Sequence, residues 1–279
     1  MGDLSTDTAV TGRDGRYAAD ISRDWEILGP NGGYIASIAL RAAGEHSRFD
    51  LPASIVGHFL GVADFAPVAI SVETRRGAKR AEAMRVEISQ RGKPIFDAMV
   101  WAVGDVSGLE HDATERPVRP DPDALPTVAD RLAAMGEAPN MYHRFWSNFD
   151  ERVPDEDWID DWPNRAPGAP VAGGWYRYVP ASTFDDPWVD ACRSLLLVDT
   201  LGWPAVCRYH INEPYIAPSI DISCAFHRFD ASEPWLYARA SSPSGANGLI
   251  GCEGRVWSRR GELLAVGASQ LLCRPAPAP

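Results

Sequence analysis

Two places in the chain carry chemistry by residue type and position. The first is Asp199, set inside residues 188–203, WVDACRSLLLVDTLGW. Val189, Cys192, Leu195, Leu196, Val198 and Leu201 cover most of the surface this run would present as a helix, so the helix is expected to be buried. An ionised carboxylate there costs several kcal/mol of desolvation unless something pairs with it. Two explanations fit: an acid satisfied by an arginine or by backbone donors, or a general base whose pKa is raised by burial. The second place is Gly32-Gly33, which opens a helical pattern with Ile35, Ile38, Ala39 and Ala42 on one face. N–H groups at a helix start point outward and can hold an oxygen anion or polarise a carbonyl. A tight turn where helix and sheet pack closely is the simpler explanation of a lone glycine pair.

The elements around these residues read as two similar runs. Residues 1–20 suit an edge strand or a loose arm, and the Gly32-Gly33 helix follows a loop at 25–30. Apolar alternation then predicts strands at 55–60, 69–74 and 85–90, and a buried strand at 95–103 after the turn Arg91-Gly92-Lys93-Pro94. Residues 105–126 are rich in proline and acids and read as an exposed linker, with a short helix expected through ADRLAAMG. Residues 145–162 hold three tryptophans and are expected to pack onto a domain face or a subunit interface. A strand at 173–179 leads to the Asp199 helix, and strands at 220–226, 235–241, 251–258 and 263–273 complete the second run.

The two runs echo each other in register. Ser89-Gln90-Arg91-Gly92 matches Ser258-Arg259-Arg260-Gly261 at a separation of 169, and His58 matches His227 at the same separation. A helix followed by an antiparallel sheet, twice, is an internal duplication. Two such sheets could join edge to edge and so hide their edges.

Composition limits the function classes. The 279 residues are 45% apolar and 23% charged, enough for a substantial folded core. The net charge of −11 argues against nucleic acid as a general partner, since phosphate binding needs a basic surface. No apolar run reaches the length of a membrane span, and residues 1–17 have no apolar core of a signal peptide. Five scattered cysteines without a CxxC pair read as reduced core residues, so a cytoplasmic protein is expected. The six histidines show no metal-ligand spacing, and His58 and His227 read as structural. There is no GxSxG elbow, phosphate loop or dinucleotide fingerprint.

PNGGYIASIAL, GHFLGVADFAPVAISVETRRG and RVEISQRGKPIFDAMVWA in the first half, with LLLVDTLGW, SIDISCAFHR and GELLAVGASQLLCR in the second, resemble the double-hotdog acyl-CoA thioesterases of the acyl-CoA thioesterase II type. The resemblance runs from about residue 25 to 274. It implies an α+β fold of two fused hotdog units, 1–105 and 171–279, joined by a linker at 106–170. It also implies a catalytic aspartate, a hydroxyl and a glutamine, carried here by Asp199, Ser219 and Gln270. Ser219 stands where the family has threonine, which keeps the hydroxyl and loses the methyl that restricts its rotamer.

On that resemblance Asp199 would activate water, Ser219 and Gln270 would hold it, and Gly32 or Gly33 would donate to the oxyanion. The expected substrate is a fatty or related acyl-CoA, hydrolysed without metal or organic cofactor. Arg75, Arg76, Lys79 and Arg80 in RRGAKR are candidates for the CoA phosphates, although a solvated loop explains the same charges. Subtracting 169 from the three site positions gives Pro30, Asp50 and Trp101, so one equipped site per chain is expected. A homo-oligomer is expected, with 145–162 as its interface. Two other functions fit the same fold: a non-catalytic acyl-CoA or acyl-carrier binder, and a hydratase, which would need an aspartate–histidine pair.

Overall fold

The computed structural model describes residues 1–105, 107–115, 117–136, 143–159, 164–211 and 213–276. In chain order the elements are α1 (Leu4–Asp7), β1 (Thr11–Arg13), β2 (Arg16–Asp20), α2 (Gly32–His46), β3 (Leu51–Phe59), β4 (Pro67–Gly77), β5 (Ala81–Gln90) and β6 (Lys93–Val103). Then come α3 (Val128–Ala134), β7 (Phe149–Arg152), β8 (Val171–Tyr178), α4 (Pro187–Thr200), α5 (Gly202–Tyr209) and β9 (Tyr215–Ile216). The chain closes with β10 (Asp221–Phe226), β11 (Leu236–Ala246), β12 (Leu249–Ser258), β13 (Leu263–Leu272) and β14 (Arg274–Pro275).

Twelve strands form one antiparallel sheet in the order β1-β2-β4-β5-β6-β3-β10-β13-β12-β11-β8-β7. The second six strands repeat the connectivity of the first six in mirror order, so the expected duplication is visible in the topology. The seam is the β3–β10 pair. There Ile55 lies opposite Cys224, and 224 − 55 = 169, so each residue faces its own duplicate and the pseudo-two-fold axis passes between them.

The helices α2 and α4 lie against the sheet and against each other. Residues 188–200 of α4 are all buried, and so are Gly33 to Leu40 of α2. Asn31 caps α2, accepting from the Tyr34 N–H at 2.9 Å, and Asp186 caps α4, with Pro187 in its first turn. One core of buried side chains runs through both halves, from Trp25 and Ile38 to Leu196 and Val256.

The sequence expectation fails in two places. The helix expected over 188–203 is two helices: α4 stops at Thr200, and α5 restarts at Gly202 with Pro204 in its first turn. The exposed linker lies partly across the sheet: Pro122 and Leu125 are buried, and Trp175 Nε1 donates to the Pro120 carbonyl at 3.1 Å. Phe145, Trp146 and Phe149, expected on a domain face or a subunit interface, pack within the chain against Trp25, Tyr176 and Tyr178. The short helix through ADRLAAMG is present as α3, capped by the Thr127–Asp130 box. Residues 106, 116, 137–142 and 160–163 of the expected linker lie outside the described residues. Among the described residues no helix is long and apolar enough to cross a membrane, and no group of three or more His, Cys, Asp or Glu could hold a metal.

Candidate active site

The last turn of α4 places Asp199 beside the first turn of α2. The two helices run antiparallel and approach closely at two glycines. A Cβ on Gly33 would lie 2.8 Å from Leu196 Cα and 3.0 Å from Asp199 Cβ. At the far end, a Cβ on Gly44 would lie 2.7 Å from the indole of Trp188. The two contacts are related by exchange of the helices, because 188 − 33 and 199 − 44 both equal 155. The helices therefore repeat at 155 while the strands repeat at 169. Fourteen residues, mostly α5, are inserted between α4 and β10. The first-half counterpart of Asp199 is thus Gly44 and not Pro30.

Asp199 is 7% exposed. Its Oδ2 accepts from the Gly33 N–H at 2.7 Å and its Oδ1 from the Ser219 hydroxyl at 2.8 Å. Among the described residues no cation pairs with it. Burial pushes its carboxyl above the ordinary carboxylate range, and the hydrogen bonds from Ser219 and Gly33 pull it part of the way back. Asp190, on the same helix, differs: it is buried against Arg193, whose Nε donates to it at 2.8 Å. One acid of α4 is neutralised by a cation and the other is held by neutral donors alone.

The start of α2 leaves four N–H groups without intrahelical acceptors. Asn31 donates to the Trp25 carbonyl at 3.0 Å, Gly33 to Asp199 and Tyr34 to the Asn31 side chain. Only the Gly32 N–H has no acceptor among the described residues. Gly32 also has no room for a side chain, since a Cβ would lie 2.9 Å from Asp199 Oδ2 and 3.0 Å from Phe59 Cζ. Of the two glycines expected to serve an oxyanion, Gly33 is occupied by the carboxylate and Gly32 is open. Asn31 fastens the joint from the other side: its Nδ2 donates to Thr200 Oγ1 at 3.1 Å.

Ser219 precedes β10 and bridges to Leu271 on β13, which fixes it opposite Asp199. Gln270 is not brought to this pair. Along β13, Ala265, Gly267, Ser269 and Leu271 are buried, and Gly267 sits under Val198 of α4. Strand alternation therefore turns Gln270 to the face away from α4. Its side chain makes no hydrogen bond to a described residue, and only its backbone is engaged, the N–H donating to Asp221 at 2.8 Å. The inward position is Ser269, 5% exposed, whose hydroxyl is buried without a partner among the described residues. It lies 3.8 Å from the place a Cβ on Gly202 would take. The alternation of GELLAVGASQLL was the signal that could have found it.

The basic cluster is not at this site either. Arg75 and Arg76 end β4, and Lys79 and Arg80 lie in the turn after it. Arg75 pairs with Glu73 at 2.9 Å. The turn adjoins the C-terminal end of α2, where Arg48 donates to the Ala78 carbonyl and His46 bonds Thr74. The fifteen residues of α2 span about 22 Å, which separates this cluster from Gly32.

With this geometry in hand, comparison with known proteins is informative. The profile of the acyl-CoA thioesterase C-terminal domain matches residues 115–273, and that of the N-terminal domain matches residues 21–103. Among solved structures, the chain is similar to the acyl-CoA thioesterase II TesB2 of Mycobacterium marinum, at 24% identity and a TM-score of 0.77 over 99% of each chain. It is similar to a tesB protein of Mycobacterium avium subs paratuberculosis, at 22% and 0.72 over 98% of each. It also resembles a conserved hot dog-fold protein of unknown function from Alicyclobacillus acidocaldarius, at 18% and 0.76 over 99% of this chain and 98% of that one. At these identities the likeness establishes the fold, which is the expected double hotdog.

Proposed function

The chain belongs to the acyl-CoA thioesterase family, and from that membership we propose that it hydrolyses acyl-CoA thioesters to the free acid and CoA with Asp199 as general base. One observation carries the reading: a buried carboxylate without a cation among the described residues, held between a helix-start N–H and a hydroxyl from the other side of the site. Each Asp199 oxygen accepts one hydrogen bond and keeps a lone pair free for water. Ser219, while donating to Asp199, retains lone pairs to accept from that water. Asp199 takes a proton as the water oxygen bonds to the thioester carbonyl carbon. The carbonyl oxygen becomes an oxyanion and accepts from the Gly32 N–H, a donor of a kind worth on the order of 3 kcal/mol in the barrier. Collapse breaks the C–S bond, and the proton on Asp199 passes to the departing thiolate. The sequence of steps uses neither metal nor organic cofactor.

The reading extends to a fatty or related acyl-CoA as substrate, to a cytoplasmic setting and to a homo-oligomer, with 1–105 and 171–279 as the two hotdog units and 106–170 between them, its β7 extending the sheet of the second. The test is thiol release from short, medium, long and aromatic acyl-CoAs, with Asp199→Asn in parallel. Release that the variant loses while staying folded supports the assignment. No release from any member, with a melting temperature that rises on adding acyl-CoA, replaces it with a binding protein. Equal rates in parent and variant make Asp199 structural.

A further inference from the structure

A cavity of about 310 Å³ lies on the other flank of α4 and α5 from Asp199, beneath the middle segment. At about 30 Å³ for each water of the liquid, that is the volume of roughly ten waters. Its walls come from Trp146 and Trp158 of the middle segment, Tyr176 of β8, and Leu201 and Pro204 at the α4–α5 junction. Asp199, Ser219 and Gly32 do not line it. One wall is Glu151 of β7.

Glu151 is an acid that the proposed hydrolysis does not use. Tyr176 lies opposite it across the β7–β8 pair, and among the described residues no cation forms a salt bridge with it. Of the other ionisable groups that line the cavity, Asp157 pairs with Arg119 at 3.6 Å, and Arg208 of α5 donates through a terminal nitrogen to the Asp157 carbonyl while its Nε is buried without a partner among the described residues. Arg131 of α3 lies against the cavity's outer wall, paired with Asp155 and stacked 5.1 Å from the Trp158 ring. One aromatic wall thus already takes a cation on one face.

We propose that this cavity binds a small apolar amine, held as its ammonium ion against Glu151 and Tyr176, with Trp146 and Trp158 around its apolar body. An ammonium group supplies the charge that the Glu151 carboxylate, without a salt-bridge partner among the described residues, lacks. The aromatic faces add attraction for a cation that a neutral or anionic ligand would not gain. Burial pushes the Glu151 carboxyl up to about 7, so its charge is largely absent at pH 6 and largely present at pH 8. Binding of an amine that stays protonated throughout should therefore tighten with pH, by about tenfold between those values.

The test is titration calorimetry of the full chain at pH 6 and pH 8 with 2-phenylethylamine, the neutral 2-phenylethanol and the anionic phenylacetate. Glu151→Gln is run beside the parent, with thermal melts to check folding. The expected result is preference for the amine at pH 8, about tenfold weaker binding at pH 6, and loss of both preference and pH dependence in the variant. Equal binding of amine and alcohol, tighter binding of phenylacetate, no binding of any probe, or an unchanged variant would each overturn the proposal. If the variant fails to fold, the parent's pH series and its ranking of the three probes decide. None of these readings depends on thiol release, so this proposal and the hydrolytic one stand or fall separately.

Discussion

The two ends of the α2–α4 helix pair are the same packing problem solved in two ways. At one end a glycine of α2, Gly33, admits the carboxylate of Asp199. At the other, a glycine of α2, Gly44, admits the indole of Trp188. Position by position the exchange is Asp199 for Gly44 and Gly33 for Trp188. The scaffold needs a close approach at both ends, and what fills it decides the outcome. A carboxylate held by neutral donors is costly, and under the proposed hydrolysis it is the base. A 6%-exposed indole is stabilising and inert.

That contrast can be broken from either end. The largest expected effect is at Asp199. Asp199→Asn should keep both hydrogen bonds, since its carbonyl accepts from Gly33 and its amide can donate to Ser219, and should lower thiol release about 10²- to 10⁴-fold. The same variant should melt higher than the parent at alkaline pH. The folded-state pKa of Asp199 lies above its unfolded value, so the folded state binds this proton more tightly. The parent therefore loses stability as pH rises from the unfolded carboxylate range through the folded pKa, and the amide does not. Melts at pH 5 and pH 8 should show the gap widening. At the opposite end, Trp188→Ala should cost about 3–5 kcal/mol by urea unfolding, yet leave kcat of the folded fraction within a few-fold.

Finer changes sharpen the comparison. Ser219→Ala removes a hydrogen bond to a charged group, worth about 1.5–3 kcal/mol, so the rate should fall roughly ten- to a hundredfold. Because the Ser219 hydrogen bond pulls the Asp199 pKa down, the rising limb of the pH–rate profile should move to higher pH in that variant. The smallest effect is expected at Gln270→Ala, within about twofold of the parent, because its side chain leaves the sheet on the wrong face.

Much of this was legible in the chain. The glycine-pair helix, the alternating strands and the repeat at 169 follow from the sequence pattern, and Asp199 stood out as the acid in an apolar run. What local pattern does not carry is the insertion that shifts the helices to a repeat of 155, since α5 continues the helical period of α4 past Thr200. Nor does it show that Gly33 would spend its N–H on a residue 166 positions away. Gln270 is the sharpest case. A one-residue slip along β13 changes the face, and the buried side of that strand is known only once α4 is seen to pack on Gly267.

The β3–β10 seam has a consequence for how the chain is made. Until residues 221–226 have been synthesised, β3 is the open edge of a six-stranded half-sheet, with Val56 49% exposed even in the finished protein. An unpaired edge of that length is a template for pairing with other chains. Its natural partner is more than 160 residues downstream, and closing so long a separation is slow. The interval in which the nascent first half most needs protection from aggregation therefore ends when β10 docks, bringing Ser219 in with it.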